Sequence, residues 1–353
     1  MAYTTIDDPT IFFNTILWTG DGNSSRSITG VGFAPDMVWL KGRTTTYDHR
    51  LVDTLRSGTY PKLLYPNLTT AESEDVNNIG AIGSDGFTVG SGNAVNQSGQ
   101  TYCAWNWKAG GTASSNSDGS ITSSVSANTT AGFSIVSYTG TGSNATIGHG
   151  LGSIPAWIFT KNRDATQPWR VYHKAVDASA PEDYGLILND TSARDNDATA
   201  WNDTAPTSSV FSVGSSANTN NSSDDFIAYC FAEKQGFSKF GTYTGNGNAY
   251  GPYIHTGFKP AFFIYRNVET TSEEWKILDD KRDTFNRGSQ RNLVANSNVA
   301  ESDDTNSIGE FLSNGVKIRS SHNNINKSGS RYIFIAFAAS SYVNGNGVPT
   351  NAR

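Results

Sequence analysis

Helical periodicity is almost absent from this chain of 353 residues, and so are charge, sulfur and long apolar runs. Charged residues make up 16% of it, the net charge is −6, and Lys and Arg are scattered. That argues against the basic groove of a nucleic-acid binder. No apolar run approaches the roughly 18 residues of a membrane helix, so membrane insertion is not expected. The N-terminal MAYTTIDDPT has neither the basic nor the apolar region of a secretory signal, and synthesis in a cytoplasm is the expectation. There are two cysteines. No His/Cys cluster has zinc spacing and no acidic run follows a calcium-loop register, so no metal and no cofactor are expected.

What the chain does have is glycine, asparagine, serine, threonine and a recurring order. LWTGDGNSSRSITGVGFAPDMVWLKGR starts at Leu17, SYTGTGSNATIGHGLGSIPAWIFTKNR at Ser137 and TYTGNGNAYGPYIHTGFKPAFFIYRN at Thr242. The distance from the threonine of Thr-Gly-x-Gly to the proline is 16 positions in all three, Thr19 to Pro35, Thr139 to Pro155 and Thr244 to Pro260. Further downstream Asn67, Asn189 and Asn296 each precede an alanine by four. Asn96, Asn220 and Asn326 each stand six before an aromatic (Tyr102, Phe226, Tyr332), with another five later (Trp107, Phe231, Phe337). The chain is a tandem triplicate.

The copies span 10–111, 131–235 and 236–343. Arms at 1–9 and 344–353 read as free or docked on a partner. The small polar residues of 112–130 read as a flexible or extended Ser/Thr/Gly-rich linker. Cys103 and Cys230 fall at non-equivalent places in different copies, which predicts buried free thiols.

Apolar residues come in short runs rich in β-branched and aromatic types, bounded by Gly, Asn, Asp and Pro. DMVWLK, AWIFTK and AFFIYR are apolar at nearly every position, as in strands covered on both faces. About seven short strands in about 100 residues indicate an all-β chain of three tandem antiparallel β-sandwich domains, jelly-roll or lectin-like. The Thr-Gly-x-Gly turn leads into a polar loop rather than a helix N-terminus, so it does not read as a phosphate cradle.

No constellation points to catalysis, and no catalytic residue is assigned. His49 and Asp53 lie four apart, but the second copy has Trp169 opposite His49, which favours structural packing. His149 and His255 read as solvated or hydrogen-bonding loop histidines, and the acids of ESEDVNN, ESDDTN and ILDDKRD as solvated loop acids. Aromatics that recur in register (Trp39, Trp157, Phe262, Trp105, Trp107, Phe231, Phe337) read as core. Those without a counterpart, Trp201, Tyr250, Tyr253, Tyr47 and Tyr60, sit in polar loops. A loop aromatic beside Asn and Asp can stack on a sugar ring, which makes these five the candidate glycan-binding residues.

The stretch GFAPDMVWLKGR…YDHRLVDTLRSG…LYPNLTTAESE…SDGFTVGS…VNQSGQTYCAWNWKAGG, Gly32 to Gly111, resembles a repeat of virion structural, tail-fibre-like proteins of tailed phages, especially those of marine bacteria and cyanobacteria. The terminal GVPTNAR resembles the ending of such proteins. Copies two and three match in spacing more than identity, with AYCFAEKQG and IAFAASSYV in place of AWNWKAGG. The resemblance implies a non-enzymatic bacteriophage virion component, made in the host cytoplasm. Its leading form is a tail fibre or receptor-binding element contacting host surface glycan, a homotrimer bound to other virion proteins. A capsid decoration (cement) protein and a glycan-active enzyme are the alternatives.

Overall fold

Strands that are apolar on both faces need cover on both, and a shared arrangement of the three repeats supplies it. The computed structural model describes residues 3–56, 61–284, 286, 288–344 and 347–350. The chain is all-β, made of antiparallel sheets, with helix limited to single turns. In unit 1 the main sheet runs Phe13–Thr19, Thr101–Trp107, Met37–Gly42, Arg50–Asp53, so the first strand lies beside the last. Unit 2 repeats that order with Phe133–Thr139, Asp225–Ala232, Pro155–Asn162 and Arg170–His173. Unit 3 repeats it with Ser238–Thr244, Arg331–Ser341, Phe258–Asn267 and Lys276–Asp279. A smaller sheet accompanies each, such as Arg26–Thr29, Gly86–Val89 and Ile79–Gly83 in unit 1.

Successive side chains of a strand point to opposite faces, and here each face has its own core. Val38, Leu40, Tyr102 and Ala104 pack with Ile28, Phe87 and Val89 of the small sheet, in a core private to unit 1. Units 2 and 3 have private cores of the same kind. The alternate residues Met37, Trp39, Trp105 and Trp107 join their counterparts Trp157, Tyr229, Phe231, Phe262, Ile335 and Phe337 in one core common to all three units.

Register explains the recurring aromatics. Met37, Trp157 and Phe262 each lie two residues after their proline, and they pair with Trp107, Phe231 and Phe337. Those three partners form a triangle in the common core. Ring centroids are 6.4 Å apart for Trp107 and Phe231, 5.7 Å for Trp107 and Phe337, and 5.7 Å for Phe231 and Phe337. Such edge-to-face pairs add about 0.5–1.5 kcal/mol each beyond the area they bury.

The asparagines of the repeat have backbone tasks. Asn67, Asn189 and Asn296 accept, through Oδ1, the backbone N–H of His49, Trp169 and Trp275, at 2.9, 2.8 and 2.8 Å. Asn96, Asn220 and Asn326 accept the N–H of Asp21, Thr141 and Asn246, and donate to the carbonyls of Asn23, Ser143 and Asn248. Each therefore pins its own Thr-Gly-x-Gly turn. A side-chain amide can do both because it carries an acceptor and two donors.

Two expectations need correction. Segment 112–130 is not a flexible linker. Ser114–Asn116 and Ser123–Asn128 form a hairpin that extends the sheet of unit 2, Ser123–Asn128 pairing with Phe133–Thr139. Its small side chains allow this close approach, with Val125 and Ile121 entering the core of unit 2. The N-terminal arm is docked on its own chain. Ile6 enters the common core, Tyr3 donates to the Gly257 carbonyl at 2.7 Å and Thr4 to that of Gln235 at 2.7 Å. The C-terminal segment turns back through a bridge between Val343 and Pro349. Cys103 and Cys230 are buried free thiols, and burial pushes Cys103 up to about 12.

Candidate functional site

The polar groups that sequence reading weighed for chemistry lie mostly at the junctions between units. Beyond the fourth strand of each main-sheet order (Arg50–Asp53, Arg170–His173, Lys276–Asp279) the chain passes toward a neighbouring unit, in the same way three times. Glu72 donates its backbone N–H to the Arg163 carbonyl at 2.8 Å, Arg194 to Val268 at 2.9 Å and Glu301 to Arg43 at 2.6 Å. Unit 2 is thus tied to unit 1, unit 3 to unit 2, and unit 1 to unit 3, which closes a ring. A ring nitrogen reinforces each tie. Trp169 Nε1 donates to the Tyr65 carbonyl at 2.9 Å and Trp275 Nε1 to that of Ile187 at 2.9 Å. His49 occupies the equivalent place in unit 1. Its Nδ1 accepts from Trp39, so the neutral ring donates from Nε2 to the Val294 and Ser297 carbonyls. Burial, with the Lys41 charge, holds His49 down at about 3.

Of the acids read as solvated, Glu72 and Glu301 are half-buried ion-pair partners instead and Asp279 is a buried one, and Asp53 is buried in the same way. Asp53 bonds Arg56 at 2.7 Å and accepts from the Tyr229 hydroxyl of unit 2. Glu72 takes Arg56 and Arg163 together, and Glu301 takes Arg43 and Arg282. Burial alone would raise Glu72 and Glu301, but the arginine hydrogen bonds outweigh it and hold both below the usual carboxylate range. Among the described residues no three His, Cys, Asp or Glu side chains gather as a metal site. His149 is buried and bonds the Thr207 carbonyl at 3.2 Å, whereas His255 is exposed.

The candidate glycan residues separate. Trp201 is a correction, because it is 2% exposed and belongs to the core of unit 2, edge-on to Tyr172 at 6.0 Å. Its polar neighbours misled. Ala198–Trp201 is a one-turn helix capped by Asp197, and it turns the indole inward while the neighbouring residues Asn202 and Asp203 stay at or near the surface. Tyr60 lies outside the described residues. Tyr47 is 37% exposed on a loop of unit 1, and no ring contact joins it to the other candidates among the described residues.

Tyr250 and Tyr253 remain, 76% and 43% exposed on unit 3. Their loop is held from within. Tyr250 donates its N–H to Asn248 Oδ1 at 2.9 Å, Asn326 bonds the Asn248 carbonyl at 2.8 Å, and Lys317 bonds the Gly251 carbonyl. Tyr253 begins the strand Tyr253–His255, where alternation sends Ile254 into the core and leaves Tyr253 and His255 outside, centroids 6.3 Å apart. Its hydroxyl donates to the Asn314 carbonyl at 3.0 Å. Exposed aromatics on so fixed a loop lose little freedom when they meet a flat ligand.

This fold and these junctions define a class, a triplicated all-β protein closed around one core. The chain belongs to the family described as a domain of unknown function (DUF7483), whose match covers residues 8–341 and so runs from the first unit, through the hairpin and the second, to the end of the last strand of the third, Arg331–Ser341. No curated protein and no solved structure is found to be similar. No helix among the described residues is long and apolar enough to cross a membrane.

Proposed function

We propose that the chain is a non-enzymatic structural component of a bacteriophage virion, a tail-fibre or receptor-binding element whose third unit contacts host surface glycan. Support comes from the resemblance of residues 32–111 to tail-fibre-like repeats. The observation that carries the contact is the pair Tyr250 and Tyr253, large apolar rings held open to solvent on a hydrogen-bonded loop. We read each unit as a two-layered sandwich of main and small sheets, the small layer having two or three strands, fewer than the four of a jelly roll. The proposal includes a homotrimer, for which uncovered sheet edges would be the natural contact. Outer strands such as Ser114–Asn116 and Asp195–Asn196 are short and polar, as edges that avoid pairing are, so this part of the proposal rests on light scattering of the purified chain.

Replacing Tyr250 and Tyr253 by Ala in assembled particles tests the role. Intact particles that no longer adsorb to the host support it. Fragile particles that still adsorb would favour capsid decoration instead.

A further inference from the structure

Beside Tyr253 and His255 a groove of about 450 Å³ opens where units 2 and 3 meet. Its floor and walls come from three distant pieces of chain, the N-terminal arm (Tyr3), the connection between the units (Glu233, Gln235, Lys239) and the end of Tyr253–His255. Tyr342, 39% exposed, adjoins the lining, its ring edge-on to Tyr3 at 6.4 Å and its N–H donating to the Gly257 carbonyl at 3.4 Å. Rings and polar side chains are thus presented to the same space.

The charge here has one sign in excess. Glu233 accepts from Lys174 at 2.7 Å and from Lys239 at 2.5 Å, so one carboxylate stands between two ammonium groups. An ammonium has three donors, and this geometry accounts for one on each lysine. Gln235 and His255 are exposed, and neither side chain makes a hydrogen bond to the described residues. The groove therefore offers the Lys239 ammonium, an amide and an imidazole, with the Lys174 ammonium held against Glu233 and the Tyr342 ring against Tyr3.

We infer that this groove binds an acidic saccharide, its carboxylate beside Lys239 and Lys174 and a sugar face against Tyr342. A neutral sugar would use the ring and leave the excess charge unanswered. An inorganic anion would use the charge and leave the ring bare. The inference rests on the glycan-contact reading for its ligand class, but it concerns Lys239 and Tyr342 rather than Tyr250 and Tyr253.

The test is titration of the purified full chain, by calorimetry, with a galacturonate oligomer and with its methyl ester, which keeps the rings and removes the charge. The acid form is expected to bind about tenfold more tightly than the ester, the worth of one charge-assisted hydrogen bond. Lys239→Gln should weaken the acid form about tenfold and leave the ester unchanged, whereas Tyr342→Ala should weaken both. Unaltered thermal unfolding of each variant shows that the fold is kept. Equal affinity for acid and ester, no binding of the acid form, or an indifferent Lys239→Gln would each overturn the inference. Such a result leaves particle adsorption through Tyr250 and Tyr253 untouched, so the two readings fail separately.

Discussion

Where units 1 and 2 meet, Asp53, Arg56 and the Tyr229 hydroxyl are buried together; where units 2 and 3 meet, the same three places hold His173, Val176 and Ile335. The junction of units 3 and 1 resembles the first, with Asp279, Arg282 and the Trp105 N–H, which donates to Asp279 at 2.9 Å. Glu72 and Glu301 take arginines of the neighbouring unit at these two junctions, whereas at the third Arg194 meets Val268 through the backbone and the buried Arg266 donates to the Ile187, Asp190 and Ser192 carbonyls. The backbone ties are the same in all three. What varies is whether the facing strand brings a donor. Tyr229 and Trp105 do, so an aspartate and its arginine can be buried there; Ile335 cannot, and there the aspartate's place goes to a neutral histidine that donates to the Phe334 carbonyl at 3.2 Å. A buried ion pair is roughly exchangeable for apolar packing as a whole, but not piecemeal.

The largest predicted effect breaks one ionic junction. Arg56→Ala or Arg282→Ala leaves a buried carboxylate uncompensated, at a cost of about 3–5 kcal/mol in denaturant unfolding. Val176→Ala, at the equivalent place, should cost nearer 1–2 kcal/mol, because only packing is lost. Equal costs would erase the distinction between the junctions.

Acid should weaken the fold through both kinds of junction. His49 and His173 are held down at about 3 by burial, while an unfolded histidine takes its proton near 6.5. The unfolded state therefore binds more protons across that interval. The stability these histidines contribute is full above about pH 6.5 and is lost progressively as pH falls toward 3. Replacing both by Gln should flatten the slope of stability between pH 6 and 4, and an unchanged slope would count against the buried neutral rings.

A smaller effect sharpens the comparison. The triple change Asp53→His, Arg56→Val and Tyr229→Ile gives the first junction the residues of the third, and should cost less than about 1.5 kcal/mol, well below Arg56→Ala alone. Of similar or smaller size, Asn189→Ala removes the acceptor for the Trp169 N–H and should cost about 1 kcal/mol, the low end for an unsatisfied donor, because that bond is only part-buried.

Much of the unit was legible in the sequence. Equal offsets from Thr19, Thr139 and Thr244 revealed the repeat, because the turn and the proline are local devices, although the asparagine that clamps the turn lies 75 to 80 positions away. The recurring aromatics read as core, and Trp107, Phe231 and Phe337 are core, but which core was hidden. Alternation shows that both faces of DMVWLK are covered, not that one face meets two other repeats. Asp53 finds Tyr229, which lies 176 positions away, and nothing near either residue advertises that pairing. The hairpin at 114–128 was missed because serine and alanine carry little strand signal, although they permit a close-packed edge. Trp201 was misread by its neighbours. Of the candidate residues Tyr47, Tyr250 and Tyr253 keep the exposure expected of them, and the groove beside Tyr253 draws on the N-terminal arm, which no local pattern places there.

The central claim is that three repeats share one core and so stand or fall together. Cys103 lies in that core and Cys230 in the private core of unit 2, which makes the two thiols reporters of different units. Their exposure to a thiol reagent should be followed across a denaturant titration, in the native sequence and in Arg282→Ala, whose lesion is in unit 3. Cooperative unfolding around the common core predicts that both thiols appear at one midpoint and that the unit 3 lesion lowers both together. Separate midpoints, or a lesion in unit 3 that leaves Cys230 where it was, would contradict it.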